Sequence, residues 1–284
     1  AGLSFGFVYP LNRLTRKINA VTAEHMAEDV TENGYIETER IADAFNQVMT
    51  RYKLLDESRQ EFVSNVSHEL KTPLTSMKVL ADSLVQMPDA PVEYYREFME
   101  DISAEIDREN AIIADLLTMV KLDKTQAEMN IQAHSINEIL ELILKRLKPI
   151  AAKQNVEMVF ESFREVTAEV DEVKLTLALT NFVENAIKYN KENGWVHVSL
   201  DADHKYFYVK VIDSGCGIPE ESQEHIFERF YRVDKSHSRE IGGTGLGLAI
   251  AKNVVLMHKG IIEISSVVDE GTTITVRIPL NYIV

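Results

Sequence analysis

Residues 242–252 read GGTGLGLAIAK, where closely spaced glycines pass directly into an apolar helical pattern. Glycines ahead of a helix let backbone N–H groups approach phosphates, and the helix N-terminus favours an anion. Gly243, Gly245 and Gly247 follow G-x-G-x-G rather than the dinucleotide fingerprint, and the chain contains no Walker A sequence or Ser/Thr/Tyr protein-kinase motif. Taken alone, the segment predicts either a flexible loop or a phosphate-binding loop of another class.

Two segments upstream carry side chains that could complete a nucleotide site. In 211–219, VIDSGCGIP, a strand ends at Asp213, whose carboxylate could hold an exocyclic amine such as that of adenine. In 181–190, NFVENAIKYN, Asn185 offers a neutral oxygen ligand for Mg²⁺. Separately, these segments would be an ordinary turn and a polar helix stripe that includes Asn181.

Between the two glycine-rich segments lies FERFYRVD, residues 227–234. Its Arg232, together with Lys188, could balance the charge of phosphates. Each segment is ambiguous by itself, but their joint order makes coincidence implausible, so we predict one nucleotide-binding site.

From Ser135 onward, helical and strand patterns are mixed, and sequential strands pair, which favours the α+β class. The predicted helices are Ile136–Lys148, Glu172–Tyr189 and Leu246–Met257. The predicted strands are 156–162 (VEMVFES) and the hairpins 195–213 and 261–280.

Residues 10–123 have an almost entirely helical pattern. Two heptad stripes flank the polar connector 28–35, EDVTENGY, and such short helices should dimerise into a parallel bundle. The stripes are Leu11, Leu14, Ile18 and Val21, then Ile41, Phe45, Val48, Tyr52 and Leu55. A helical hairpin follows, from about Ser58 to Met87 and from about Glu93 to Lys121, broken by Pro88 and Pro91. One apolar face on each arm is the usual ingredient of a dimeric four-helix bundle.

His68 lies in the first arm of this hairpin, about 160° around the helix from its apolar stripe. The stripe is Val63, Val66, Leu70, Leu74, Met77 and Ala81. His68 therefore faces solvent, with Glu69 beside it, Thr72 one turn further on and a bend expected at Pro73. This could be an ordinary solvated histidine. An exposed imidazole is also a competent nucleophile toward phosphorus, and a neighbouring carboxylate can accept its proton.

Composition limits the alternatives. At 284 residues the chain should hold about two domains. Its 45 acidic and 30 basic residues give a net charge of −15, which argues against direct nucleic-acid binding. The single cysteine, Cys216, excludes an intramolecular disulfide framework and a thiolate zinc site, and we interpret it as a small turn filler.

These motifs together resemble the cytoplasmic part of a sensor histidine kinase of two-component signalling. SHELKTPLTS resembles the H box, NFVENAIKYN the N box, DSGCGIP the G1 box, IFERFYRVD the F box and GGTGLGLAIAK the G2 box. The resemblance covers about 58–284. Residues 10–55 are more weakly similar to a HAMP domain, with Pro10 opening its first helix. The resemblance to histidine kinases implies that His68 accepts the γ-phosphoryl group of ATP and that Glu69 is its acid/base partner. It also implies that Thr72 positions a water for dephosphorylating a regulator.

For the nucleotide, the resemblance implies that Asp213 binds the adenine amine, Asn185 coordinates Mg²⁺ and Arg232 reaches the γ-phosphate. Residues 231–243 would be a mobile lid. The implied cofactor-binding residues are Asn181, Asn185, Lys188, Tyr189, Asp213, Gly215, Gly217, Tyr231, Arg232, Gly243, Thr244, Gly245, Leu246 and Gly247.

A comparison within the superfamily separates two functions. Gyrase-like and chaperone-like ATPases carry a glutamate four residues before the Mg²⁺ asparagine, as a general base toward water. Here that position is Asn181, and an amide cannot deprotonate water. We therefore predict phosphoryl transfer rather than ATP-driven conformational work. A phosphatase-dominant sensor, an ATPase machine and a degenerate binding module stay open as alternatives.

The resulting prediction is a multidomain chain: an all-α bundle followed by an α+β sandwich of the gyrase/histidine-kinase type. Its parts are the end of a transmembrane helix (1–9), a HAMP-like domain (10–57), a dimerisation and phosphotransfer domain (58–124), a linker (125–134) and a catalytic ATP-binding domain (135–284). For residues 1–9 the alternative is an ordinary apolar N-terminus, since the run is too short to span a bilayer. The expected partners are a second copy of the chain, a response regulator receiver domain and a bacterial cell membrane.

Overall fold

The computed structural model describes residues 2–20, 30–31, 35–87, 91–124, 129–233 and 243–282. The chain divides into two compact units, Ala1–Lys71 and Thr72–Val284. Several predicted features lie outside the described residues: Gly34 of the connector, Pro88 of the helix break and residues 234–242 of the lid.

The first unit contains helix α1 (Gly2–Ala20) and the first part of helix α2 (Ile36–Gln86). Its buried cluster joins both heptad stripes and the connector: Leu14, Val30 and Ala42, with Ile18 and Phe45 against them. Asn46 of α2 also fixes the connector, because its Oδ1 accepts from the N–H of Val30 at 2.9 Å and its Nδ2 donates to the carbonyl of Val30 at 3.1 Å. Because α1 begins at Gly2, the prediction that this helix opens at Pro10 is wrong. A proline removes only one backbone donor, and the helical pattern continues on both sides of it.

Helix α2 continues through Pro73 to Gln86, and helix α3 spans Val92–Lys124. The two predicted arms are helical: α2 ends one residue before Met87, and α3 begins one residue before Glu93 and ends three residues after Lys121. The expected start of the first arm at Ser58 is not a helix end, because α2 begins at Ile36. The predicted boundary between residues 57 and 58 falls inside α2. Several apolar side chains of the hairpin are exposed, among them Leu74 at 55% and Val79 at 59%. Among the described residues, no helix combines the length and apolar character that a membrane span requires.

The remainder of the second unit is an α+β sandwich, as predicted. Its elements are β1 (Gln132–Ser135), α4 (Ile136–Lys153), β2 (Glu157–Ser162), β3 (Thr167–Val170), α5 (Glu172–Lys188), β4 (Trp195–Ala202), β5 (Tyr206–Asp213), α6 (Glu220–Gln223), α7 (Gly247–Met257), β6 (Ile261–Val267) and β7 (Gly271–Pro279).

The main sheet has five strands in the order β2-β4-β5-β7-β6, with β2 and β4 parallel and the other pairs antiparallel. Alternate residues of its central strands are buried, as a sheet with one covered face requires. The helices α4, α5 and α7 supply the matching apolar faces, including Leu140, Phe182 and Val254. This packing brings the end of α5, the end of β5 and the start of α7 to the same edge of the sandwich.

Two details differ from the sequence-based expectations. Helix α4 continues past Lys148 through Pro149 to Lys153, because its buried face includes Leu147 before the proline and Ala151 after it. Strands β1 and β3 form a separate antiparallel pair, so ordered strand structure begins at Gln132, inside the predicted linker. Strands of four residues are too short to show a clear alternation in the sequence.

A buried histidine links the C-terminal end of helix α7 to the N-terminal end of helix α5. His258, at the end of α7, is 1% exposed. Its Nε2 accepts from the backbone N–H of Asp171 at 3.0 Å, and its Nδ1 lies 2.8 Å from the carbonyl oxygen of Val254, so Nδ1 carries the proton of a neutral ring. Asp171 in turn caps α5 by accepting from the N–H of Lys174 at 3.0 Å. Burial lowers the pKa of His258 from its ordinary 6.5.

We expect this arrangement to make the second unit less stable in mild acid. The folded-state pKa of His258 is below that of the unfolded chain, so the unfolded chain binds the proton first. The stabilisation is complete above the ordinary pKa of 6.5. Below it the free energy of unfolding should fall by up to about 1.4 kcal/mol per pH unit until the folded-state pKa is reached. Denaturant unfolding of the full chain at about pH 7.5 and about pH 5.5 measures this.

The control is His258→Gln, whose side chain keeps hydrogen-bonding groups but does not titrate. Its free energy of unfolding is expected to be lower than that of the wild type at neutral pH and to change less between the two conditions. An equal pH dependence in both proteins would contradict the assignment to His258.

Candidate functional site

A cavity of about 680 Å³ lies at the edge of the sandwich where α5, β5 and α7 meet. It brings together residues from four motifs that are separated by up to 66 positions in the sequence. The predicted residues that line it are Asn181, Asn185, Lys188, Tyr189, Asp213, Gly217, Tyr231, Arg232, Gly243, Thr244, Gly245 and Gly247. The other two predicted residues, Gly215 and Leu246, do not line the cavity. Their backbone N–H groups donate to the side chains of Asp213 and Thr244, which do.

Asp213, at the end of β5, is held in one orientation by the backbone. Its Oδ1 accepts from the N–H of Gly215 at 2.8 Å and from the N–H of Thr272 at 3.2 Å. Both bonds end on Oδ1, so Oδ2 keeps its acceptor capacity for a ligand. Burial raises the pKa of this carboxyl, and the two N–H groups offset part of the effect. A fixed, partly buried acceptor is what recognition of a base amine needs.

Two glycines shape the cavity wall. Gly217 has φ +67°, and a Cβ there would collide with the carbonyl oxygen of Val267. Gly245 has φ +72° and its carbonyl accepts from the N–H of Phe230 at 2.9 Å, while a Cβ would lie 2.9 Å from the Cα of Phe230. The backbone of the G2 segment is therefore hydrogen-bonded to the F-box segment.

The N-box residues that line the cavity lie on α5 and at its C-terminal end. Asn181 and Asn185 are one turn apart, and a Cβ at Gly247 would lie 3.2 Å from Oδ1 of Asn181, which places that amide against the start of α7. Lys188 pairs with Glu184 at 2.8 Å. The hydroxyl of Tyr189 lies beside Gly243, 3.0 Å from where a Cβ would stand.

The residues fit Mg²⁺ only as a nucleotide-bound ion. Among the described residues, no group of three or more histidine, cysteine, aspartate or glutamate side chains could hold a metal by itself. Mg²⁺ commonly keeps several waters and is held by one or two protein oxygens together with substrate phosphates. The amide oxygen of Asn185, in the cavity wall, suits such a role.

Sequence reasoning missed several polar residues of the cavity, among them Asp115, Glu184 and Thr272. Glu184 could have been noticed, because it lies inside the N-box segment and one turn before Lys188. Asp115 belongs to α3, far from the nucleotide motifs in sequence, and nothing in the helical pattern marks it. Thr272 acts through its backbone N–H, which sequence does not distinguish.

The three residues predicted for phosphoryl chemistry lie elsewhere, on α2. His68 and Thr72 are exposed and Glu69 is half-buried. These described residues are not part of the cavity lining. His68 therefore has the solvent-facing position that the helical pattern predicts.

Family models match both parts of this architecture. Residues 58–125 match the His Kinase A (phospho-acceptor) domain. Residues 170–282 match the histidine kinase-, DNA gyrase B- and HSP90-like ATPase domain. The first match covers His68 and both helical arms, and the second covers every predicted cofactor-binding residue.

Among characterised proteins, the chain is 38% identical over 234 residues to the sensor histidine kinase WalK of Bacillus subtilis, covering 81% of this chain and 38% of WalK. It is 35% identical over 243 residues to the sensor-like histidine kinase SenX3 of Mycobacterium tuberculosis, covering 86% of this chain and 59% of SenX3. The chain thus spans between about two fifths and three fifths of the length of these relatives.

Two solved structures share the fold. The histidine kinase ThkA, in complex with the response regulator protein TrrA, superposes with a TM-score of 0.63 at 23% identity, covering 81% of this chain and 66% of ThkA. The Acinetobacter baumannii histidine kinase AdeS gives a TM-score of 0.59 at 20% identity, covering 75% of this chain and 98% of AdeS. With its phospho-acceptor and ATPase domains in order, the chain belongs to the sensor histidine kinases of two-component systems.

Proposed function

We propose that the chain transfers the γ-phosphoryl group of Mg·ATP to His68 and then to an aspartate of a response regulator receiver domain. The observation that carries this proposal is the convergence of the N, G1, F and G2 residues on one cavity of about 680 Å³. In the first step, an imidazole nitrogen of His68 forms a bond to the γ-phosphorus and the bond from phosphorus to the β,γ-bridging oxygen breaks. ADP leaves, and Glu69 accepts the imidazole proton.

The cavity residues would position the nucleotide and balance its charge, which is most of what phosphoryl transfer asks of a protein. Asp213 would accept from the adenine amine and Asn185 would hold Mg²⁺, which neutralises charge on the phosphates. Lys188 and Arg232 would contact phosphate oxygens, Lys188 after release from Glu184. The backbone N–H groups at the start of α7 would cradle the phosphates beside Gly243 and Gly245.

Free ATP hydrolysis is the less favoured function. Residue 181 is an asparagine, whereas the ATPases of this superfamily carry a glutamate there. The gyrase-like and chaperone-like ATPases place their general base at this position, and an amide cannot take a proton from water. The amide at Asn181 therefore supports transfer of the phosphoryl group to a protein nucleophile.

A regulator-phosphatase activity would use the same helix. Thr72 follows His68 by one turn and is exposed on α2. Its hydroxyl could position a water for attack on the phosphoaspartate of a bound regulator. A phosphatase-dominant sensor keeps the same residues and is the second candidate function.

We also propose that the chain acts as a homodimer and is the cytoplasmic part of a membrane-bound sensor. Exposed apolar side chains recur at helical spacing in α2 and α3 and would be covered by the hairpin of a second copy. Those that support this face are Val63, Leu74, Met99, Ile106, Ile113, Leu117 and Val120. Residues 10–57 would be a HAMP-like relay from the membrane.

The experiment is incubation of the full chain with γ-labelled ATP and Mg²⁺, followed by a purified receiver domain. We expect a protein label that is lost in acid and kept in base, as for a phosphoramidate, and that moves to the receiver domain. Rapid release of labelled phosphate without protein labelling would instead support an ATPase. Dephosphorylation of a prelabelled receiver domain, without labelling of the chain, would support the phosphatase.

A further inference from the structure

Helix α3 reaches into the nucleotide cavity through one side chain. The hydroxyl of Thr244 donates to Oδ2 of Asp115 at 2.6 Å, joining residues 129 positions apart. The same hydroxyl accepts from the backbone N–H of Leu246 at 3.2 Å. Thr244 thereby links α3 to the N-cap residue of α7, in the part of the G2 segment that would receive phosphates.

Asp115 is partly buried and has charged neighbours of both signs. Its carboxylate lies near Lys188, which attracts it, and near Glu184, which repels it. Burial raises the pKa of Asp115, and the hydrogen bond from Thr244 offsets part of this effect. Ala111, one turn earlier on α3, also lines the cavity, so α3 forms part of its wall.

A triphosphate in this cavity would meet a carboxylate at its phosphate end. Lys188, Thr244 and the N-terminus of α7 are groups that favour an anion, and in this structure the anion beside them is Asp115. Two anions cannot share one set of donors without a cost, so the contact and the nucleotide compete for them.

We propose that Asp115 is a positioning residue that takes the place of a phosphate oxygen at Thr244, so that its contact with Thr244 and the binding of Mg·ATP oppose one another. This inference rests on the proposed ATP site and adds a regulatory residue from α3 to it. By linkage, nucleotide binding weakens the hold of α3 on the G2 segment, and movement of α3 changes nucleotide affinity by the same factor. A signal that moves α3 would therefore change the affinity of the cavity for nucleotide.

The test measures affinity for trinitrophenyl-ATP, with and without Mg²⁺, in the full chain. The variants are Asp115→Asn, which removes only the charge, and Asp115→Ala, which removes charge and acceptor. We expect both to bind about five- to tenfold more tightly than the wild type. Asp107→Asn is the matched control, because it removes the same charge from an exposed position on α3, and its affinity should not change.

A second readout separates competition from simple loss of structure. Hydrogen exchange across α3 in the wild type should speed up when the nucleotide binds, and in Asp115→Ala it should be fast already. Unchanged or weaker affinity in both Asp115 variants, while the wild type binds nucleotide, would overturn this inference alone. A chain that binds no nucleotide in any form would overturn the proposed function as well. If the alanine variant fails to fold, Asp115→Asn gives the same answer.

Discussion

Replacing His68 with alanine is expected to reduce ATP-dependent protein labelling to background while nucleotide affinity stays within about twofold of the wild type. The reason is the separation of the two functions in the chain. His68 is exposed on α2, whereas the described residues that line the nucleotide cavity belong to α3 and to the sandwich. Loss of the nucleophile should remove the covalent product and leave the ATP site intact. Labelling is measured with γ-labelled ATP, and binding with a fluorescent analogue.

The matched control is His204→Ala, an exposed histidine in the turn between β4 and β5. It should label like the wild type. Label that persists in His68→Ala would move the acceptor to another residue and would contradict the central assignment. Glu69→Gln should label slowly but detectably, because the proton acceptor is lost while the nucleophile remains.

Most of the cavity lining was predictable because its residues are marked by local sequence. A glycine run before a helix, an aspartate at a strand end and an i, i+4 asparagine pair each have a physical meaning within about ten residues. Their convergence on one cavity follows from the strand order, which places the ends of β5 and α5 beside the start of α7. The exposure of His68 was predictable for the same reason, since helical periodicity alone decides it.

Features set by distant contacts could not be predicted. Asp115 is an ordinary acidic residue in the helical pattern of α3, and only the packing of α3 against the sandwich brings it to Thr244. Helix α4 passes through Pro149 because burial of Leu147 and Ala151 outweighs a lost hydrogen bond. Helix α2 also runs without a break across the predicted boundary between residues 57 and 58. The sequence could not show this, because a heptad pattern continues unchanged from one helical segment into the next.

Replacing Asp213 with asparagine is expected to weaken ATP binding by about 10²-fold, or ~2.7 kcal/mol. The amide oxygen can still accept from the N–H groups of Gly215 and Thr272, so the turn should fold as before. The amide nitrogen then replaces Oδ2, and a donor faces the donor amine of adenine. The loss of a charged hydrogen bond and the presence of an unpaired buried donor both lower the affinity for ATP. Calorimetry of ATP binding, with thermal unfolding to verify the fold, measures the change.

The same substitution should change base preference, which a general loss of affinity would not do. Inosine triphosphate presents a carbonyl oxygen where ATP presents an amine, so it should bind to Asp213→Asn at least as well as to the wild type. Asp201→Asn supplies the control, since it makes the same change at an exposed position of β4 and should leave both affinities unaltered. Equal weakening for both nucleotides would mean that Asp213 supports the cavity wall without reading the base. Unaltered ATP affinity would remove Asp213 from the site, and with it the reason for placing adenine at the end of β5.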